Sequence, residues 1–278
     1  MLRASLLIAL LVGLTSFLGA EELKVMTFNI RYGTAKDGAN HWRHRSPRVI
    51  ETIKLENPDV LGLQEVLHFQ LEALQKALPE YRFYGVGRTD GKKQGEYVPI
   101  AWRADRFTLT QSKTHWLSDT PDKPGSMSWG NTIPRIASEV HLSDAAGSTI
   151  WHVVNAHFDH RSANARKRSA EALTKLFPSP STQPAVLMGD FNMGESAPGT
   201  MHFKEHGWQD SFRMVHPDAK DTGTFVGWTD RRTGAKIDAV YVNDRVAVKD
   251  AEIVRRRFLS KVPSDHDPVS ATVSQRTR

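Results

Sequence analysis

The chain of 278 residues contains no cysteine. This excludes disulfide bonds, thiolate metal sites and cysteine nucleophiles together, and it leaves stability to core packing and hydrogen bonding. Long apolar runs are also scarce. The longest covers residues 4–18, after Arg3 and before the small pair Gly19–Ala20. A positive residue, an uncharged apolar stretch and a small-residue end are the layout of a secretory signal peptide. Residues 1–20 are therefore predicted to be removed, leaving 21–278 as a single domain. The run falls short of the ~20 apolar residues that span a bilayer, so no stable membrane anchor is expected. An exported chain without cysteine suits a bacterial periplasm or the surrounding medium. No repeat, low-complexity tract or interdomain linker interrupts the rest, and PSPSTQP (178–184) is too short to separate domains. A monomer is expected.

What the chain does have is a basic excess: 37 Lys and Arg against 31 Asp and Glu, a formal charge of +6. Basic residues gather in HWRHRSPR (41–48), RSANARKR (161–168) and Arg255–Arg257. That balance favours an anionic partner, a phosphate ester or a nucleic acid among them. Along the chain, alternation of apolar and polar residues predicts strands near 23–30, 59–64, 81–86, 97–103, 106–117, 133–142, 149–157, 184–189, 236–242, 246–255 and 268–274. Ser46–Pro47 reads as a cap and first position of a helix running to Glu56, and helical spacing covers 69–78. Ser162 reads as the cap of a third helix ending at Phe177. Many strands with few helices between them predict an α/β sandwich of sheets covered by helices.

Several apolar strands run into a carboxylate, an amide or an imidazole. The segments are VMTFNI with Asn29, DVLGLQEV with Glu65, WHVVNAHFDH with Asn155, His157 and Asp159, AVLMGDFN with Asp190 and Asn192, KIDAVYV with Asp238, and PSDHDPV with Asp265 and His266. One polar residue after a strand is ordinarily a turn or a cap. Six such endings are too many for turns alone, and strand ends along one rim make a rigid platform for a site. Glu65, Asp265 and the Asn29 carbonyl are oxygen donors suited to a hard cation, Mg²⁺ or Mn²⁺. Asp190 beside Asn192 can deprotonate and orient a water. His157 and His266 can hold a phosphate or protonate a leaving oxygen.

In this order, MTFNIRYG, PDVLGLQEV, NAHFDH, GDFN, KID and SDHDPV resemble the endonuclease/exonuclease/phosphatase superfamily, over residues 23–274. The resemblance implies a four-layer α/β sandwich with two central, mainly antiparallel sheets flanked by helices. It implies metal-dependent hydrolysis of phosphate esters and carries site roles onto matching positions. Glu65 would be the main metal ligand, with Asn29 and Asp265 beside it. Asp190 and Asn192 would activate the attacking water. His266 would contact the scissile phosphate and be oriented by Asp238. His157 would be the second catalytic histidine, with Glu96 in GEYVPIAWRADRF as its carboxylate partner. Arg135 in IPRIASEV would contact phosphate. Apart from the resemblance, Asn155, Arg31 and Arg166 are expected to bind substrate, Arg166 because DHRSANAR follows His157. Two positions depart from relatives: Arg31 stands where some carry an acidic residue, and Gln94 where deoxyribonuclease has tyrosine.

A phosphodiesterase or nuclease is the preferred reading. The alternative is a lipid, inositol or sugar phosphate hydrolase on the same site, and a non-catalytic binding protein ranks below both. Arg31, Arg43, Arg45, Arg135, Arg161 and Arg166 are expected around the rim that holds Glu65 and His266, because the site's carboxylates would otherwise repel an anion. Trp42, Trp129 and Trp228 are candidate stacking surfaces. HFKEH (202–206) has the H-x-x-E-H spacing of some zinc proteases, but it is short and is read as a solvated helix end.

Overall fold

Alternate residues of β1 (Leu23–Asn29) point to two different cores: Leu23 and Val25 to one, Met26 and Phe28 to another. The same parity rule runs through the molecule, because successive side chains of a strand leave opposite faces of the sheet. In this computed structural model the described residues are 21–145, 147, 149–179 and 181–276. The leader expected over residues 1–20 lies outside them.

The remaining elements, in chain order, are α1 (Trp42–Glu56), β2 (Val60–Gln64), α2 (His68–Ala77), β3 (Tyr81–Tyr84), β4 (Ile100–Arg103), β5 (Phe107–Trp116), β6 (Ile136–Asp144), β7 (Ile150–His157), α3 (Ala163–Leu176), β8 (Ala185–Asp190), α4 (Pro198–Glu205), β9 (Gln209–Asp210), α5 (Ser211–Val215), β10 (Asp238–Val242), β11 (Val246–Ile253) and β12 (Val269–Gln275). They build two six-stranded sheets, in the orders β11-β12-β1-β2-β4-β3 and β5-β6-β7-β8-β10-β9. Pairing is antiparallel except for β1 with β2 and β7 with β8. Valines and other apolar groups from both sheets fill the space between them, including Val25, Val60, Val153, Val186, Met188, Val240 and Val269. Helices α1 and α2 cover the outer face of the first sheet over Phe28, Leu61 and Leu63. Helices α3 and α4 cover the second over Val154, Leu187 and Tyr241. This is the expected four-layer sandwich. Among the described residues no helix is long and apolar enough to cross a membrane.

Helix α1 starts five residues earlier than Ser46–Pro47 suggested. His41 caps it, its ring accepting from the Arg43 amide at 3.3 Å. Pro47 then lies inside the helix. Both Pro47 and Arg43 are exposed, so the backbone bond that proline cannot make is lost on the solvent side. Helix α3 begins where expected, with Ser162 accepting from the Ala165 amide at 3.0 Å. HFKEH (202–206) is the solvated end of α4, as expected, while α5, with five residues, completes too few turns to show a period.

The sheets approach closely at Gly62, where an added Cβ would meet Met188 and Asn155 at 2.8 and 2.9 Å. Asn155 bridges them there. Its amide nitrogen donates to the Leu63 and Pro99 carbonyls at 2.8 and 3.0 Å, and its oxygen accepts from Gln64 at 2.6 Å. A residue expected to bind substrate is thus spent as a cross-sheet tie, wholly buried and one rung inside the rim. Asn155→Leu is expected to lower stability by about 3 kcal/mol, since it strands buried polar partners that cost roughly 1–3 kcal/mol each. Urea denaturation checks this; a variant of unchanged stability with raised KM would return Asn155 to the substrate.

Candidate active site

The face that lines the inter-sheet core turns polar at one edge. In β8 the inward residues are Val186, Met188 and then Asp190; in β7 they are Val153, Asn155 and then His157. Register aligns these ends. His157 pairs with Asp190 across β7–β8, and Asp190 pairs with Asp238 across β8–β10. An imidazole and two carboxylates therefore occupy one rung of one sheet. In the facing sheet Asn29 pairs with Gln64, and the chain turns out of the strand at Glu65. Arg31, Glu65 and Asn192, each just past a strand end, have positive φ of 58°, 61° and 51°. Such φ values are uncommon for residues with a Cβ and are tolerated where the surrounding structure holds them. The result is a cleft of about 510 Å³ lined by both sheets' edges, with Glu65, His157, Asp190, Asn192, Asp265 and His266 in its wall.

Hydrogen bonds fix these groups. Asn29 donates to Asp190 Oδ2 at 2.9 Å and to Glu65 Oε1 at 3.1 Å, while its own oxygen accepts from the Arg31 amide at 2.9 Å. Its side-chain atoms therefore position two carboxylates. Glu65 Oε2 accepts from the Tyr32 amide at 3.0 Å. Asp190 Oδ1 accepts from the Asn192 amide at 2.9 Å, and the Asn192 side-chain nitrogen donates to the Phe158 carbonyl at 3.1 Å. His266 Nδ1 lies 2.8 Å from Asp238 Oδ2, the pairing expected. Around Asp190 Oδ2 stand two imidazoles, His157 Nε2 at 3.6 Å and His266 Nε2 at 3.9 Å.

Those two histidines are shifted in opposite directions. Burial disfavours the charged form of both. For His157 the nearby Arg135 and Arg88 push the same way, holding it well below the ordinary value. For His266 the carboxylates of Asp238 and Asp190 outweigh burial and hold it well above. Asp190 is pushed up to about 7, by burial first and then by Asp238. The site thus sets a carboxylate raised to about 7 between an imidazole shifted down and one shifted up, a separation that favours different groups as base and acid.

The Glu96 partnership with His157 is looser than expected. Glu96 Oε2 is 4.0 Å from His157 Nδ1, beyond hydrogen-bond reach, because Arg88 takes both Glu96 oxygens at 2.7 and 2.8 Å. Arg135 is buried in the cleft wall, with Nη2 2.7 Å from His160 Nδ1 and with Nε and Nη1 free of hydrogen bonds. Its Nε lies 3.6 Å from Asp159 Oδ2, so the guanidinium is a buried, partly neutralised positive charge in the cleft wall, of the type that suits a phosphate. Arg31 lines the cleft, makes a bidentate pair with Asp37 at 3.1 Å and reaches Asp265 at 3.7 Å and Glu65 at 4.0 Å. Arg166 donates to the Asp159 carbonyl at 2.9 Å and is absent from the cleft wall.

Nor do the other arginines form the expected rim. Arg45 is fully buried, donating to the Ile30, Arg31 and Asn40 carbonyls and sandwiched by Trp42 and Trp228, each at 5.2 Å. It staples α1 to the loop after β1, and two of the three candidate stacking tryptophans are spent on it. Trp129 packs under Arg168 at 5.5 Å in a different groove. Arg43 and Arg161 are exposed and do not line the cleft.

A family model described as Endonuclease/Exonuclease/phosphatase family matches residues 26–266. The chain belongs to the endonuclease/exonuclease/phosphatase family. Among solved structures, a family protein from Bacteroides thetaiotaomicron is 29% identical, with a TM-score of 0.86 over 93% of this chain and 100% of that one. One from Bacteroides vulgatus is 33% identical, with 0.83 over 92% and 100%. A mannosyl-6-phosphatase of B. thetaiotaomicron is 30% identical, with 0.83 over 90% and 99%.

The donor set of this family member fits a hard divalent cation. Glu65 and Asp265 converge on the same guanidinium, and Asp265 is pushed up by burial and by Glu65. Two carboxylates that repel across a wet cleft are what a divalent cation neutralises, and oxygen donors suit magnesium or manganese. A separate buried triad, Asp190, Asp238 and His266, also brings ligand atoms together. Its imidazole is already committed to Asp238, so it is better explained as catalytic apparatus. Sequence reasoning missed Arg88, His160 and Phe225. Phe225, 42% exposed, lines the cleft with its ring edge-on to His266 at 5.2 Å. Its signal was faint, since the neighbouring Trp228 in TFVGW drew the reading as the stacking candidate.

Proposed function

We propose that the chain is a divalent-metal-dependent hydrolase of small phosphate esters, with a sugar phosphate as the substrate class. The observation that carries the reading is one cleft that joins Asp190 and the Asp238-held His266, 3.9 Å apart, to Glu65 and Asp265. A phosphate seated against Arg135 would face a water between Asp190 and Asn192. Asp190 takes the water's proton as its oxygen attacks phosphorus. The phosphorus–oxygen bond to the alcohol breaks, and His266, steadied by Asp238, returns a proton to the leaving oxygen. Neutral His157 can donate a hydrogen bond to the phosphate without adding charge. A bound Mg²⁺ or Mn²⁺, held by Glu65 and Asp265, would neutralise phosphate charge.

Substrate size is argued from the arginines. A polymer needs phosphate contacts along a track, but Arg45 is buried and Arg43, Arg161 and Arg166 lie off the cleft wall. Phe225 offers an apolar face to a sugar ring, and the mannosyl-6-phosphatase likeness points the same way. Residues 1–20 are read as an export signal, which N-terminal sequencing of the mature protein would test. The deciding experiment is a panel of hexose 6-phosphates, inositol phosphates, sphingomyelin, DNA and RNA with Mg²⁺. We expect turnover on a hexose phosphate and a shallow dependence of KM on salt. DNA as the preferred substrate, with binding that falls by about one log unit per log unit of salt for each phosphate contact, would overturn the substrate assignment.

A further inference from the structure

Away from the cleft, four side chains converge on the face of the second sheet that lies under α3. Register places them. His141 of β6 stands directly opposite His152 of β7, and Glu139 precedes His141 by two, so all three share one face. The Nε2 atoms of His141 and His152 lie 3.0 and 2.9 Å from one atom, Oε1 of Glu139. Their rings are 4.4 Å apart at 34°. Ligand atoms of the three residues all fall within 4.8 Å of one another. The second carboxylate oxygen, Oε2, is held at 2.8 Å by Nε2 of His115 from β5, a buried ring whose Nδ1 has no hydrogen-bond partner. Phe177 closes one side, edge-on to His115 at 5.5 Å and to His152 at 5.0 Å. His152 precedes His157 by five residues on one strand, about 17 Å, so this cluster is separate from the catalytic cleft.

We propose that Glu139, His141 and His152 form a binding site for a transition-metal dication of the zinc class, with His115 as the positioning residue for the carboxylate. Two imidazoles and a carboxylate select zinc, copper or nickel over magnesium, so this site and the oxygen-donor site in the cleft would take different ions. Three protein ligands leave a fourth position for water. Adjacent strands hold the two imidazoles in place before the ion arrives, and His115 fixes the ligating carboxylate as outer partners do in metal sites. On binding, the Nε2 proton of His141 and of His152 passes to solvent, or to Nδ1 where the ring is neutral, and the freed Nε2 lone pair is donated to the ion. In a chain without disulfides, the ion would tie β6 to β7 where the sheet is only half-buried.

The test compares wild type with His141→Gln/His152→Gln, stripped with EDTA and then saturated with Mg²⁺. Zinc is titrated calorimetrically and counted by mass spectrometry. We expect wild type to hold one more equivalent of zinc at micromolar concentration than the double variant. His206→Ala, in the other imidazole pair of the second sheet's side, should keep that equivalent. Zinc should also raise the melting temperature of wild type above its Mg²⁺-only value and leave the double variant unmoved. Phosphatase activity with Mg²⁺ should be alike in both, which confirms that the variant folds. Should the double variant fold poorly, Glu139→Gln and the cobalt(II) visible spectrum of wild type serve instead. Equal zinc stoichiometry in wild type and variant, or no tetrahedral cobalt bands, would overturn the site.

Discussion

Asp190→Asn should lower the turnover number by about 10²–10⁴-fold and leave KM within a few-fold of wild type, the signature of a lost general base. The side chain keeps its shape and its place beside the Asn192 amide, so substrate binding survives while proton acceptance does not. The pH profile gives an independent check. Burial and Asp238 push the Asp190 carboxyl up to about 7, so the ionised base is lost as pH falls through that value. Wild-type turnover should decline on the acid side of neutrality, and the limb should vanish from the residual activity of Asp190→Asn. Stability moves in the opposite sense. A carboxyl whose folded value is raised binds its proton more tightly in the native state, so its contribution weakens as pH climbs from the ordinary carboxylate range to about 7. The variant lacks that titration, so its stability relative to wild type should improve across the same window. Turnover unchanged by the substitution would remove Asp190 from the chemistry.

The rim residues were legible because strand parity and chemistry coincide. Asp190 and Asp238 continue inward rows that are apolar up to the rim, Val186 and Met188 in one strand and Val242 and Val240 in the other, and Asn29 ends the row of Leu23, Val25 and Thr27. Asn155 obeys the same parity but sits one rung deeper, where an amide meets the opposite sheet's carbonyls before it meets solvent; depth along a strand is not written in a polar ending. Arg45 failed for a related reason. HWRHR reads as a basic surface patch, yet Trp42, Arg45, Val49 and Ile53 recur at helical spacing and all are buried. That periodicity was the signal for a core-facing arginine, and composition hid it. Arg88 is different again. It acts through Glu96 across a loop, and no motif surrounds it, so only three-dimensional proximity reveals that it competes with His157 for the same carboxylate.

Removal of divalent cations should abolish activity, and restoration should follow Mg²⁺ or Mn²⁺ and not calcium-free buffer alone. Glu65 and Asp265 face each other across a cleft with a single guanidinium between them, and that guanidinium is already paired with Asp37. An arriving phosphate adds negative charge to a wall that already contains Glu65, Glu96, Asp190 and Asp265. A metal ion offsets several kcal/mol of that charge in the transition state, so its loss should cost on the order of 10³-fold or more in rate. Glu65→Gln keeps an oxygen donor and the contact to the Tyr32 amide but gives up a charge. The variant should therefore need a higher Mg²⁺ concentration for half-maximal rate, while its melting temperature in EDTA stays near wild type. Asp190→Asn should leave the Mg²⁺ requirement nearly unchanged, which separates ion holding from proton transfer. The cleft and the imidazole cluster on β6 and β7 can be told apart in the same series, because zinc bound at Glu139 should stabilise the fold without replacing Mg²⁺ in turnover. Full turnover after exhaustive chelation would show that the protein's own cations, Arg31, Arg135 and His266, suffice and that Glu65 has another purpose.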